Sequence, residues 1–162
     1  RLNIGYLFQS SALFDSMTVS ENLEFILYRH TGLKKTERID RIEETLSWFD
    51  LVEKRTHYPA ELSGGQQKRI ALARAIVLEP EILLYDEPTT GLDPESVRMV
   101  SDLIVRLREE RGITSVAITH DILCAEIIAD DAYFLYDGRF LASGTLDEIR
   151  RVEHEAVRNF YG

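Results

Sequence analysis

Residues 82–87 read Ile-Leu-Leu-Tyr-Asp-Glu, a short apolar run that is followed at once by two carboxylates. Such a run is typical of a strand that is buried on both faces of a sheet. A second run lies at residues 114–118, and a helix is predicted between the two runs over residues 95–110. A strand, a helix and a strand in this order predict parallel βαβ units and therefore an α/β fold.

The chain before this unit carries signals for one more strand and several helices. Residues 4–8 predict a strand that ends at Gln9. Thr18 and Glu21 have the spacing of a capping box, which predicts a helix that begins there and runs through about residue 28. Apolar residues at intervals of three and four predict a further helix over residues 36–50. This part of the chain is expected to form a helical insertion in the α/β fold.

The remaining elements follow the same kind of signal. A helix is predicted over residues 64–78, ahead of the strand already described. The apolar run 132–136 continues the alternation that is typical of a parallel sheet. Asp-Gly at residues 137–138 predicts a hairpin turn into residues 139–143, and a closing helix is predicted over residues 145–152.

Composition narrows the classes of function. The 162 residues are 44% hydrophobic, enough for the core of one domain or most of one. A formal net charge of -9 disfavours binding to nucleic acid or to an anionic membrane surface. No apolar run reaches the roughly 18 residues that cross a bilayer. The single cysteine, Cys124, excludes an internal disulfide, so a reducing cytoplasm is the expected compartment.

The two carboxylates after the first apolar run suit chemistry at a phosphorus atom. Ligands of open α/β sheets gather at the carboxyl ends of the strands. Asp86 can hold a magnesium ion there, while Glu87 can polarise the water that attacks the phosphorus. Taken alone the pair is a moderate signal, because apolar strands often end in exposed acids.

Two further segments have both a functional and a structural interpretation. Ser63, Gly64 and Gly65 precede a predicted helix, where free backbone amides can face an anion, but Ser63 is also an ordinary helix N-cap. His120 follows a predicted strand and can contact a terminal phosphate beside Glu87, although without the other motifs a histidine that caps a strand end or opens a helix at Asp121 is the preferred interpretation. Neither segment identifies a function when it is taken without the other motifs of the chain.

Five segments in this order resemble the motifs of ABC-family nucleotide-binding domains, and together they span nearly the whole chain. In that family's terms they are the Q-loop at Gln9, the signature at residues 62–67, Walker B with its glutamate at residues 82–88, the D-loop at residues 91–93 and the H-loop at His120. The resemblance implies a P-loop NTPase-like core, mostly a parallel sheet flanked by helices, with an inserted helical subdomain.

The resemblance implies how the chain is divided. Residues 1–9 are expected to end a strand and enter the Q-loop, and residues 10–78 to form the helical subdomain with the signature. Residues 79–144 are expected to form the α/β core, and residues 145–162 a terminal helix and tail.

The same resemblance implies ATP and Mg²⁺ as ligands and a head-to-tail homodimer. The residues expected to contact ATP bound chiefly by the opposite subunit are Ser63, Gly64, Gly65 and Gln66, and Asp93 is expected to communicate across the dimer.

Four residues receive roles within one subunit from the resemblance. Asp86 and Gln9 are expected to serve magnesium, Glu87 the attacking water, and His120 the terminal phosphate. The loop that begins at Gln9 is expected to receive a helix of a transmembrane permease.

The contacts with that permease are expected from Leu13, Phe14 and Met17. A role for these three residues in the core of the helical subdomain is an equal alternative.

One motif of the family is absent from the 162 residues, namely the phosphate-binding loop G-x-x-x-x-G-K-S/T. The chain also begins at Arg1 without an initiator Met, so we expect a domain truncated at its N-terminus. Without the amides and lysine of that loop, the 162 residues alone are expected to bind and hydrolyse ATP negligibly. The parent protein is expected to be an active ATPase.

Weaker sequence similarities than these motifs concern the transported substrate. Residues 11–22, 85–88 and 157–162 are similar to the ATPases of MCE-linked (Mla-type) lipid transporters. That resemblance implies transport of phospholipid across a bacterial envelope with a permease and an MCE partner, at the cytoplasmic face of the inner membrane. The alternatives are an ATPase of an amino-acid or other small-solute importer, a soluble ABC ATPase that acts on DNA or ribosomes, and a non-catalytic interaction module.

Overall fold

Five strands and seven α-helices form residues 3–162, the part of the chain that the structure, a computed structural model, describes. The strands are β1 (Ile4–Leu7), β2 (Ile82–Asp86), β3 (Thr114–Ile118), β4 (Ala132–Tyr136) and β5 (Arg139–Gly144). The helices are α1 (Val19–His30), α2 (Lys35–Trp48), α3 (Gly64–Ile76), α4 (Pro94–Arg111), α5 (Ile122–Ile128), α6 (Leu146–Arg150) and α7 (Glu155–Tyr161). Two 3-10 turns, Val52–Lys54 and Pro59–Glu61, precede α3.

The first three strands form a parallel sheet in the order β1, β2, β3, which confirms the α/β prediction. Leu7 pairs with Tyr85 at one end, and Asp86 pairs with Ile118. Because all three strands run the same way, the segments that follow them leave the sheet at one edge. That edge is where ligands of open α/β sheets bind.

The strand predicted at residues 132–136 does not continue the parallel sheet, so this expectation was wrong. It is β4, which pairs antiparallel with β5 in a separate two-stranded sheet within residues 3–162. Asp137 (φ 49°) and Gly138 (φ 71°) both lie in the left-handed region, as the predicted two-residue hairpin turn requires. An apolar run identifies a strand, but it carries no information about which neighbour the strand joins.

Side-chain caps begin the helices where the sequence predicts them. Thr18 caps α1: its Oγ1 accepts from the Glu21 amide at 3.3 Å, and Glu21 Oε2 accepts from the Thr18 amide at 2.7 Å. Thr145 caps α6 in the same reciprocal way. A cap of this kind satisfies amides that have no partner inside the helix. The short helix α7 was not predicted, because its seven residues are too few to show a clear periodicity.

The hydrophobic core lies where α3 passes between the sheet and the other helices of the insertion. One buried cluster contains a leucine from each of these elements, namely Leu23 of α1, Leu46 of α2, Leu72 of α3 and Leu83 of β2. Gly5 lets β1 approach α3 closely, since a Cβ there would lie 2.6 Å from the carbonyl oxygen of Ala75. This packing couples α3 directly to the strand that leads into Gln9.

Of the helices within residues 3–162, none combines the length and the apolar composition that crossing a bilayer requires.

Candidate functional site

The edge at the carboxyl ends of the parallel strands carries the four residues expected to act within one subunit. Gln9 follows β1, Asp86 ends β2, Glu87 comes next, and His120 lies two residues beyond β3. The Glu87 amide donates to the Ile118 carbonyl at 2.9 Å, which extends the pairing of β2 with β3 by one residue. That extra bond brings the segments of Glu87 and His120 side by side.

Glu87 and His120 form a direct contact. His120 Nδ1 lies 2.8 Å from Glu87 Oε1, and the Thr90 hydroxyl donates to Glu87 Oε2 at 3.1 Å. The Glu87 side chain is 17% exposed, whereas that of His120 is 71% exposed. Both carboxylate oxygens of Glu87 are therefore held by a partner, while the imidazole stays open to an incoming ligand.

The backbone at Glu87 has an unusual conformation. Its φ of 51° lies in the left-handed region, which a residue with a long side chain rarely adopts. Such a conformation persists only where the surroundings hold it, and it is concentrated at functional sites. Here the hydrogen bond from the Glu87 amide to the Ile118 carbonyl holds the residue in this conformation, and the chain turns sharply after the strand.

The segment that carries His120 is fixed from both sides. The Thr119 hydroxyl accepts from the Asp121 amide at 3.0 Å. Asp121 caps α5 through the Cys124 amide and also accepts from the Thr89 hydroxyl at 2.8 Å. Thr89 follows Glu87 closely, so this last bond ties the histidine segment to the glutamate segment a second time.

The pKa of His120 is expected to lie above the ordinary histidine value of 6.5, chiefly because Glu87 accepts a hydrogen bond from its ring and also attracts its charge. In the intact protein, an NMR titration of the His120 ring protons should therefore show a midpoint above 6.5. Glu87→Gln should lower that midpoint. The stabilisation by the pair is present below the unfolded pKa of histidine and is lost as the pH rises through the raised folded pKa. An unchanged midpoint in Glu87→Gln would contradict the pairing in solution, and His120→Ala identifies the resonance.

Asp86 and Gln9 offer oxygen ligands of the kind that Mg²⁺ prefers. Asp86 ends the central strand half-buried, with the Tyr6 hydroxyl 3.5 Å from its Oδ2, and Gln9 is exposed at the same edge. Within residues 3–162, His, Cys, Asp and Glu form no group of three or more that would hold a metal by itself. One carboxylate and one amide fit Mg²⁺, because this ion usually takes only one or two protein ligands and completes its shell with water and substrate phosphates.

The start of α3 forms a reciprocal cap. Ser63 Oγ accepts from the Gln66 amide at 3.3 Å, and the Ser63 amide donates to Gln66 Oε1 at 3.0 Å. The structural interpretation of Ser63 as an N-cap is thus confirmed, while its contact with a nucleotide stays a prediction. Gly64 and Gly65 occupy the first turn of the helix and leave its amides uncovered by any side chain of their own.

Asp93 lies next to this helix start. It caps α4 through the Glu95 and Ser96 amides and accepts from the Ser96 hydroxyl at 2.7 Å. The hydrogen bond from the Ser96 side chain is the main reason why the pKa of Asp93 is lowered. Ser96 also faces Gly65, since a Cβ on that glycine would lie 3.1 Å from Ser96 Oγ. The residues expected at the dimer interface therefore share one surface.

Two cations on α3, Lys68 and Arg74, support the loop after β1. Lys68 Nζ donates to the Gln9 carbonyl, and Arg74 donates to the carbonyls of Ser11 and Ala12 at 3.0 and 2.7 Å. Lys68 is 5% exposed. The acceptor in Gln9 lies 59 residues away in the sequence, so no local pattern around Lys68 indicates this contact.

The three residues expected to face a permease are placed differently. Leu13 packs against the core, Met17 is half-buried, and Phe14 is 41% exposed. Phe14 packs edge-on against Phe25, and its backbone amide and carbonyl are held by the side chain of the buried Asn22. Leu13 therefore follows the core alternative, whereas Phe14 presents an aromatic surface on a fixed loop.

Comparison with known proteins identifies the family of the chain. The sequence pattern of the family described as "ABC transporter" matches residues 1–90. The methionine import ATP-binding protein MetN 1 of Bacillus cereus is 41% identical over 161 residues, which are 99% of this chain and 46% of that protein. A probable amino-acid ABC transporter ATP-binding protein, y4tH of Sinorhizobium fredii, is 40% identical over 99% of this chain and 63% of its own length.

Solved structures agree as well. The dimeric structure of MJ0796, a bacterial ABC transporter cassette, matches with a TM-score of 0.78 and 36% identity over 89% of this chain and 63% of that one. A post-hydrolysis state of the same cassette, bound to ADP and Pi, matches with a TM-score of 0.77. The chain spans about half the length of the MetN relative, at 46%. With its motifs in order and its strand-edge site assembled, the chain belongs to the ABC transporter family, as part of an ATP-binding cassette.

Proposed function

We propose that this chain forms most of the ATP-hydrolysing cassette of a transporter that imports methionine or a similar amino acid. The observation that carries the proposal is the identity of about 40% to methionine and amino-acid import ATP-binding proteins over nearly the whole chain. The alternative of a small-solute importer is thus favoured over lipid transport. The Glu87–His120 contact supports catalysis over a purely structural role.

The chemistry expected of this site is hydrolysis of a terminal phosphate. Glu87 would accept a proton from the water that attacks phosphorus, and Thr90 and His120 would keep its carboxylate in one orientation. With Nδ1 of His120 engaged by Glu87, Nε2 remains for a phosphate oxygen. The raised pKa of His120 favours the charged ring, in which both nitrogens donate. Magnesium held near Asp86 and Gln9 would neutralise phosphate charge.

Two surfaces of the chain would contact partner proteins, one a second cassette and the other a permease. Ser63, Gly64, Gly65 and Gln66 would contact a nucleotide held chiefly by a second cassette, and Asp93 lies on the same surface. Helix starts bind anions well because their amides are free and their dipole is positive. The loop around Phe14 would receive a permease segment, which would also keep the cassette at the membrane.

Transport of lipid is the second candidate. Only the resemblance of residues 11–22, 85–88 and 157–162 favours it. The similarity to methionine import ATP-binding proteins weighs against it, and these relatives give no support for an MCE partner.

The experiment that tests the proposal compares uptake of labelled methionine in cells that lack the gene, in cells that carry it, and in cells that carry the Glu87→Gln form. We expect uptake to fall on deletion and to return only with the wild-type gene. Normal methionine uptake in the deletion strain, combined with altered phospholipid distribution in its envelope, would favour the lipid candidate. Purified intact protein without Mg²⁺-dependent ATP hydrolysis would contradict both candidates.

A further inference from the structure

Lys68 is buried between the two segments that carry the expected metal ligands and the expected base. It lies in the second turn of α3 and is 5% exposed. Its amine donates to the Gln9 carbonyl and, at 3.3 Å, to the Glu87 carbonyl. These two acceptors are 59 and 19 residues away in the sequence, so one side chain joins the end of β1 to the end of β2.

Both carbonyls lie beyond the regular strand pairing, and the Glu87 carbonyl also accepts from the Thr90 amide at 3.4 Å. The Gln9 carbonyl lies where β1 has ended, and the Glu87 carbonyl lies in a residue whose φ is 51°, where regular strand pairing stops. An ammonium group has three N–H donors, so the single side chain of Lys68 can donate to both carbonyls at once. Burial lowers the pKa of the Lys68 amine, while the charges of Asp86 and Glu87 oppose that shift.

Arg74 shows what is special about Lys68. It lies on the same helix and holds the same loop, but its acceptors are the Ser11 and Ala12 carbonyls, farther along the loop. Lys68 alone of these two cations also reaches Glu87. Loss of Lys68 would therefore remove the side chain that links the Gln9 loop to Glu87, whereas loss of Arg74 would remove contacts within the loop only.

We propose that Lys68 is a positioning residue that holds the Gln9 loop and Glu87 in one fixed relation through their backbone carbonyls. The proposal rests on the ATPase function proposed above. Lys68 acts through its two neighbours and is not itself expected to touch the nucleotide. A shift of about 1 Å in a reacting group can reduce a rate about 100-fold, so the relation between these segments matters for turnover.

The test measures kcat and KM for Mg²⁺-dependent ATP hydrolysis by the intact protein. In Lys68→Met, which removes all donors, kcat should fall about 10- to 100-fold while KM for ATP stays within about threefold. In Lys68→Gln, whose amide keeps two N–H groups, most of the lost kcat should return. Lys35→Met, at an exposed position on α2, is the matched control and should leave both constants unchanged.

Several outcomes would overturn the proposal. One is a folded Lys68→Met protein whose kcat lies within about twofold of the wild type. Another is a rise in KM at constant kcat, which would indicate a role in binding, and a third is a Lys68→Gln protein no more active than Lys68→Met. If the Lys68→Met protein does not fold, Lys68→Ala, which leaves room for water, replaces it in the same comparison of kcat and KM. An inactive wild type would refute the ATPase function itself, whereas an active wild type with an equally active Lys68→Met would refute only the role of Lys68.

Discussion

Replacing Glu87 by glutamine in the intact protein is expected to lower kcat for ATP hydrolysis by about 100- to 10,000-fold, the usual contribution of a positioned general base. The amide keeps the size of the side chain and can still accept from Thr90, but it cannot take a proton from water. Because the substitution leaves Asp86, Gln9 and the helix start unchanged, affinity for Mg²⁺ and ATP should be retained. Phosphate release measures the first quantity, and calorimetric titration of ATP measures the second.

Glu43→Gln is the matched control for this prediction. Glu43 is an exposed glutamate of α2, outside the strand edge, and its replacement removes the same charge. We expect its kcat to equal that of the wild type. Equal turnover in Glu87→Gln and wild type would remove Glu87 from the role of base. A loss of ATP affinity that accounts for the whole effect would instead assign Glu87 to binding.

Replacing His120 by alanine is expected to lower kcat by about 100- to 1,000-fold, the range found when one donor to a developing negative charge is removed. The imidazole is 71% exposed, so its loss leaves no buried cavity and should not unfold the protein. Two effects combine in the lower rate. Glu87 loses the partner that holds Oε1 at 2.8 Å, and a terminal phosphate loses a donor. Thermal unfolding of the variant, run beside the rate measurement, separates a catalytic loss from instability.

The double variant Glu87→Gln, His120→Ala tests whether the two side chains act as a unit. Groups that act together give effects that do not add, because each single replacement already breaks the shared interaction. We therefore expect kcat of the double variant to lie within about tenfold of the slower single variant. A loss equal to the product of the two single losses would show that Glu87 and His120 contribute independently.

Local patterns in the sequence predicted most of the secondary structure correctly. The capping box at Thr18 predicted the start of α1, the closing helix predicted from residue 145 is α6, and the apolar runs predicted β2 and β3. Caps and apolar runs are local, since their partners lie within a few residues. The failure at β4 has the opposite cause, because the partner of a strand can lie anywhere in the chain, and here the two-residue turn directs β4 to β5.

The candidate site was predicted to a different extent at each residue. Glu87 and Asp86 were found because carboxylates directly after a buried strand are visible in the sequence. The support that Thr90, Thr89 and Lys68 provide was not foreseen, since threonines and lysines are common on any surface. Their roles depend on which acceptors face them after folding, and no spacing in the sequence reports that.

The order of residues along the chain was therefore sufficient for the strands, most of the helix starts, the family and the chemical types available at one sheet edge. Tertiary structure alone decided that His120 contacts Glu87, that β4 leaves the parallel sheet, and that the buried amine of Lys68 joins Gln9 to Glu87. The physical reason is range. Propensity, periodicity and capping act over a few residues, whereas the contacts of His120 and Lys68 join residues 19 to 59 positions apart and exist only once the sheet has its order and α3 is packed against it.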